Sequence, residues 1–292
     1  MKLFSYTLNQ HSGVGVVHPA DPSRYADVAT LLQVQNKDAD ALMFSLFEAS
    51  TRAQLAQALA AAPAAAFQSL ASVAFGLPIA RPPKIICMGL NYADHAKEGG
   101  NARPEYPSFF MRGAQSMTPH GAPIVRPRVS SKLDYEAELA VIIGQRARHL
   151  TPGDALSCVF GYSCFNDGSI RDYQRKTAQW TIGKNFDRTG GFGPWIVTAD
   201  ALPPGAHGLR VQSRLNGRTM QDANTRDFLW NVQEALVIIS ECMTLEPGDV
   251  IITGTPAGVG YARTPPVWMA PGDVCEIEVE GIGVLRNSVA DE

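Results

Sequence analysis

The segment Lys132-Leu133-Asp134-Tyr135-Glu136-Ala137-Glu138-Leu139-Ala140-Val141-Ile142-Ile143-Gly144 constrains the chain more than any other, because it sets three carboxylates at alternating positions directly ahead of a run that belongs in a core. In extended backbone alternate side chains share a face, so Asp134, Glu136 and Glu138 are expected to project from one side of a strand. On a solvated sheet edge water screens the repulsion between such acids. Here the strand runs on into Leu-Ala-Val-Ile-Ile, where water is scarce, and a buried carboxylate needs a partner. Asp167 closes another apolar run, Gly161-Tyr162-Ser163-Cys164-Phe165-Asn166, and is the natural third ligand beside Glu136 and Glu138. Three carboxylates supply oxygen only, which suits Mg²⁺, Mn²⁺ or Ca²⁺ and suits zinc poorly. Magnesium keeps waters that substrate oxygens can replace, so the site is expected to be catalytic.

Composition narrows the partner. Of 292 residues 45% are apolar and 18% charged, enough apolar content for a packed core, and the formal charge of −3 leaves no basic footprint for nucleic acid or an anionic membrane surface. A small molecule is the expected partner. The uncharged stretch from Ala53 to Ala80 is long enough to span a bilayer, but glutamine, proline and glycine interrupt it, so no membrane segment is expected. Polar residues from Ser5 to His11 interrupt any secretory core at the start. Five cysteines without a C-x-x-C pair indicate neither a disulfide framework nor a zinc ribbon, and a reducing cytoplasm is the expected compartment.

Residues 1–80 differ in texture from the rest: a short β-like start, a turn near Pro19 to Arg24, then alanine-rich helical segments up to Phe75. They read as a small N-terminal α/β accessory domain, with Arg81-Pro82-Pro83 a stiff connector to a second domain over 81–292. Beyond Lys84 short β-like runs bounded by glycine and proline dominate. Only two longer helical patterns interrupt them, from about Ile170 to Ala178 and from about Asp227 to Met243. Strands in the majority argue against a doubly wound sheet and for an α+β class with a mainly β, mixed-sheet core.

A second constellation is His95 with Glu98. At i and i+3 on a helix they are neighbours, either an ordinary exposed helical pair or one in which the carboxylate raises the basicity of the imidazole, fixes its tautomer and so activates water. Gly99-Gly100-Asn101-Ala102-Arg103-Pro104 follows with the glycine and proline content of a mobile lid or its hinge. Lys184 is either an ordinary surface lysine or a cation facing developing negative charge. Thr253-Gly254-Thr255-Pro256-Ala257-Gly258-Val259-Gly260 offers backbone N–H groups to a carboxylate after an apolar strand. Trp180, Tyr173, Trp268 and Phe192 suggest an aromatic side to a pocket. No nucleophile elbow, H-E-x-x-H, Walker A lysine or G-x-G-x-x-G in a strand–helix setting is present.

Taken together, G-x-N-Y-x-x-H-x-x-E at 89–98, D-Y-E-x-E-L at 134–139, N-D-x-S-x-R-D-x-Q at 166–174, Q-W-x-x-G-K-x-F-D at 179–187, L-x-P-G-D-V-I-x-T-G-T-P-x-G-V-G at 245–260 and P-G-D-x-x-E-x-E-x-x-G-I-G-x-L-x-N at 271–287 resemble the fumarylacetoacetate hydrolase family over roughly residues 84 to 290. The resemblance implies a β-roll core, a homodimer and, in bacterial acylpyruvase-like members, a small N-terminal domain. It makes Glu136, Glu138 and Asp167 the metal ligands and His95 with Glu98 the catalytic dyad on a lid. Lys184 becomes the oxyanion or enolate stabiliser, while Arg171, Gln174 and Thr255 go to the substrate. Arg112 stands where many relatives carry lysine and offers a planar fork to a substrate carboxylate.

The activity expected on this basis is metal-dependent hydrolysis of a C–C bond in an acylpyruvate or related 1,3-diketo acid through a pyruvate-type enolate, with water activated by His95 and Glu98. Oxaloacetate decarboxylation and 2-hydroxy-dienoate isomerisation on the same site are the alternatives. All of this requires that Glu136, Glu138 and Asp167 converge around an ion and are not already neutralised by arginine or lysine.

Overall fold

The computed structural model describes residues 1–35, 38–100 and 102–292. Its centre is the strand Ala137–Ile143, buried at every position. A strand covered on both faces reads as a continuous apolar run, and this one is covered by two different cores. Leu139, Val141 and Ile143 point into a cluster shared with Val211, Ile277 and Leu285 of a five-stranded sheet. Ala140 and Ile142 point the other way, into a cluster with Leu3, Val16, Leu46, Phe47 and Leu55 from the first 80 residues. The period-2 alternation of the backbone assigns the two sets.

In the large twelve-stranded sheet Ala137–Ile143 lies between Val159–Asn166 and Val250–Ile252, antiparallel to both. Val250–Ile252 runs parallel to Ile85–Gly89, which pairs antiparallel with the terminal strand Ser108–Arg112. The second sheet is built from Arg218–Asn224, Arg210–Leu215, Val274–Val279, Gly283–Asp291 and Ile124–Arg126. Mixed sheets with few helices make this an α+β fold, in line with the sequence-based expectation. Among the described residues no helix is long and apolar enough to cross a membrane.

The N-terminal 80 residues share a sheet and a core with the rest of the chain. Lys2–Leu8 joins the large sheet through Gly190–Thr198, with Lys2 opposite Val197 and Leu3 opposite Ile196. The helices Ala39–Ser45 and Ala49–Ala61 supply buried residues to the cluster that covers Ala140 and Ile142. Beyond Ala61 the expected helical texture gives way to single 3₁₀ turns and two-residue strands. Pro63 ends the helix, as expected of a residue that lacks the required N–H. A chain beginning at residue 81 is therefore expected to lose one side of its central sheet and to aggregate or bind the dye ANS strongly. A truncated chain with a cooperative, native-like melting transition would show that the segment is dispensable to the fold.

Two helices are shorter than their patterns suggest. Val232–Cys242 starts at Val232 because Asn231 and Glu234 form a reciprocal capping box, while the residues before it are held elsewhere: the N–H groups of Leu229 and Trp230 donate to Asn91. The expected helix from Ile170 to Ala178 is the single turn Arg171–Gln174. The Thr177 hydroxyl accepts from the N–H of Gln179 and donates to its carbonyl, a local capture that competes with the helix ladder.

Candidate active site

Glu136 and Asp167 leave regular pairing at the same place. Leu133–Asp134 pairs with Ser169–Ile170, and Ala137 resumes the ladder opposite Asn166, so the acid-bearing segment is two short strands rather than one continuous run. The junction is closed by the Asp167 N–H donating to the Glu136 carbonyl at 2.9 Å and the Glu136 N–H donating to Asn166 Oδ1 at 3.0 Å. Glu138, the first residue beyond it with its side chain on the same side, completes a buried trio in which one carboxylate oxygen each of Glu136, Glu138 and Asp167 lie within 4.8 Å of one another. Asp134 turns away to accept from Arg171 Nε and from the N–H groups of Gly260 and Tyr261.

The trio is not free of basic partners, which corrects the expectation. Lys184 Nζ bridges Glu136 Oε2 at 2.6 Å and Asp167 Oδ2 at 2.5 Å, and Arg112 Nη1 meets Asp167 Oδ1 at 2.5 Å. Arg171 Nη2 lies 2.7 Å from Glu136 Oε1 but off hydrogen-bond geometry, so that contact is Coulombic. Three cations thus face four buried carboxylates, counting Asp134, and one negative charge is left over. The excess falls on Glu138. Burial, then the charges of Asp167 and Glu136, push its carboxyl well above the usual range, against Lys184 and the donated N–H of Gly254. Burial acts on Glu136 in the same direction, yet Arg171 and Lys184 outweigh it and bring that carboxyl down to about 2. A buried, oxygen-only donor set with surplus negative charge fits a hard divalent cation, which would relieve the repulsion that falls on Glu138.

His95 stands on the short helix Ala93–Glu98, with Nδ1 2.9 Å from Glu98 Oε1. The other Glu98 oxygen accepts from the Gly258 N–H at 2.9 Å, so one carboxylate both orients the imidazole and fastens its helix to the loop after Val250–Ile252. The base of the helix is clamped by buried Asn91, whose amide donates to the carbonyls of Thr253 and Trp230. Of the segment expected to form a lid or hinge, Asn101 lies outside the described residues.

The loop from Thr253 to Gly260 spends its N–H groups on the protein's own acids: Gly254 on Glu138, Gly258 on Glu98 and Gly260 on Asp134. None of these three is left for a substrate carboxylate, contrary to the expectation. Gly254 and Gly258 have φ of +94° and +103°, and a Cβ would come within 2.7 Å of Asn91 Cβ and 2.3 Å of the Met220 carbonyl respectively. Glycine is therefore required at both, for backbone conformation and for space.

These groups meet at a cavity of about 310 Å³. Its floor holds Glu136, Glu138, Asp167 and Lys184, one wall holds His95, and Arg171, Gln174 and Thr255 also line it. Arg112 does not. Its buried guanidinium is consumed by Asp167, Ser116, Gly168 and Thr189. Arg112 is thus a positioning residue for Asp167 and not the substrate contact expected. The Thr255 hydroxyl is also engaged, donating to the Ala137 carbonyl and accepting from Gln221.

Of the four aromatic residues singled out from sequence, Trp180 alone lines the cavity, packed so closely on Gly89 that a Cβ there would sit 2.1 Å from the ring. Phe192 is buried against Phe165, and Tyr173 meets Phe186 edge to face. Phe110, Arg175 and Tyr261 line the cavity and were not singled out from sequence. The apolar run Phe109-Phe110-Met111 was the available signal for Phe110. Nothing local marked the other two.

Residues 84–290 match the family model described as fumarylacetoacetate (FAA) hydrolase C-terminal. The chain is 40% identical over 219 residues to the mitochondrial oxaloacetate tautomerase FAHD2A of Bos taurus, covering 74% of this chain and 69% of that protein. Among solved structures it is similar to the fumarylacetoacetate hydrolase of psychrophilic Exiguobacterium antarcticum, at 36% identity and a TM-score of 0.84 over 100% of both chains. It is also similar to the maleylpyruvate hydrolase of Sphingobium sp. SYK-6 in complex with manganese(II) and pyruvate, at 30% identity and a TM-score of 0.82, covering 100% of this chain and 99% of that one.

Proposed function

Since the chain belongs to the fumarylacetoacetate hydrolase family, we propose that it hydrolyses a C–C bond of an acylpyruvate or related 1,3-diketo acid, with magnesium or manganese held by Glu136, Glu138 and Asp167. The observation that carries this reading is the His95–Glu98 pair on the wall of a cavity whose floor is the buried acid trio. When bound, the divalent ion supplies a Lewis acid for the 2-oxo acid end of the substrate. Glu98 occupies Nδ1 of His95 and leaves Nε2 as the basic nitrogen, which takes a proton from water as the water oxygen attacks the distal carbonyl carbon. The bond from that carbon to its neighbour breaks, its electron pair passes toward the 2-oxo oxygen, and His95 returns the proton to the departing carbon. Lys184 adds positive charge to the floor where that oxygen becomes negative. Arg171 and Gln174 orient the keto acid end, and Thr255, whose hydroxyl is held by Ala137 and Gln221, shapes the wall beside it. The products are a carboxylate and pyruvate or a related keto acid.

A second reading is supported by the identity to oxaloacetate tautomerases: keto–enol interconversion, or the related decarboxylation or dienoate isomerisation, in which the same imidazole moves a proton and no water attacks. Incubating the manganese-loaded protein with acetylpyruvate and following the products by proton NMR is expected to give acetate and pyruvate in equal amounts. Loss of the oxaloacetate enol band with no pyruvate from any acylpyruvate would replace hydrolysis by tautomerisation; pyruvate and carbon dioxide from oxaloacetate would replace it by decarboxylation.

A further inference from the structure

Three permanent cations line the cavity, and they differ in how they are neutralised. Lys184 is held by Glu136 and Asp167, and Arg171 by Asp134 and Glu136. Arg175, at the end of the turn Arg171–Gln174, has no carboxylate partner among the described residues. Its guanidinium is instead held over the Tyr261 ring, 4.2 Å from the centroid, while that of Arg171 lies 4.4 Å from the same centroid. Stacking on an aromatic face fixes a guanidinium without consuming its N–H donors. The cavity is therefore polarised. Trp180 and Phe110 form an apolar side, with their rings 5.7 Å apart, and Arg175 presents an oriented, unspent fork at the exposed edge.

Resting on the functional reading above, we propose that Arg175 is a specificity-determining residue that pairs with a second carboxylate at the far end of the substrate, so that the substrate class is a dianionic 2-oxo acid rather than one with a neutral tail. One end of such a molecule is accounted for at the floor, where every cation is already matched by an acid. A second carboxylate finds no unmatched cation there, and moving it into the cavity without one is costly. At Arg175 it meets five donors in a planar arrangement suited to two parallel hydrogen bonds. Tyr261 keeps the fork in place before the ligand arrives, which reduces the ordering cost of binding.

The test compares maleylpyruvate, which carries the second carboxylate, with acetylpyruvate, which does not, in wild-type and Arg175→Gln proteins loaded with manganese. Loss of a charge-assisted pair at a partly exposed site is expected to raise KM for maleylpyruvate about ten-fold with kcat little changed, and to leave KM for acetylpyruvate within about two-fold. Arg175→Lys, which keeps the charge but not the fork, is expected to recover part of the loss. Equal effects on the two acids, or no effect on either, would overturn the proposal. Calorimetric titration of both acids into the same proteins gives the discrimination without turnover. Selective binding of the diacid that disappears in Arg175→Gln, combined with no pyruvate release, leaves the Arg175 proposal standing and removes the hydrolase reading alone. Absence of selective binding removes the Arg175 proposal even where both acids are hydrolysed.

Discussion

Exhaustive chelation with EDTA is expected to abolish turnover, and added manganese or magnesium to restore it. The expectation rests on charge. Glu136, Glu138, Asp167 and Asp134 outnumber Arg112, Arg171 and Lys184, and the surplus settles on Glu138, the member of the trio with no ion pair. A divalent ion converts that repulsion into binding energy. Glu138→Gln separates the metal's role from folding. The amide oxygen still accepts from the Gly254 N–H, and the neutral side chain relieves the repulsion, so the metal-free variant is expected to melt at or above the wild-type temperature. Its manganese affinity should fall by about a hundred-fold or more, since loss of a supporting group alone costs about ten- to a hundred-fold at metal sites. The stabilisation expected for the wild type at a manganese concentration of a hundred times its Kd, about 2.7 kcal/mol, should fall to about 0.4 kcal/mol or less in the variant at the same concentration. Full activity after chelation, or a Glu138→Gln protein that keeps both that stabilisation and the activity, would refute the metal assignment.

His95→Ala is expected to lower kcat by about 10² to 10⁴-fold, the range for a positioned general base, while the manganese-induced melting shift stays as in wild type. The two readouts separate chemistry from metal loading because His95 contributes no oxygen to the trio. Glu98→Gln is the informative companion. The carboxylate satisfies His95 Nδ1 with one oxygen and the Gly258 N–H with the other. A carboxamide offers one acceptor and cannot serve both donors. Its kcat should therefore fall as well, by less than for His95→Ala, with the imidazole tautomer no longer held. A His95→Ala enzyme that releases pyruvate from an acylpyruvate at the wild-type rate would remove the base from the mechanism.

What local sequence determined can be stated residue by residue. Alternation over 134–138 announced the acids and the unbroken apolar run over 139–143 the central strand, because side-chain period and two-sided burial are both written along the chain. His95 and Glu98 meet because they are three apart on one helix turn, and the Gly-rich stretch after Ile252 marked a strand-end loop for the same local reason. Tertiary structure alone decided where the charges go. Lys184 reaches Glu136 across 48 residues of chain and Arg112 reaches Asp167 across 55, and no spacing rule foretells which buried acid a distant cation will neutralise. Long-range packing likewise sent the N–H groups of Gly254, Gly258 and Gly260 to the protein's own carboxylates and set side chains from the first 80 residues against Ala140 and Ile142. Periodicity is a property of neighbours along the chain, whereas the cost of a buried charge is settled by whatever the fold brings within a few ångströms of it.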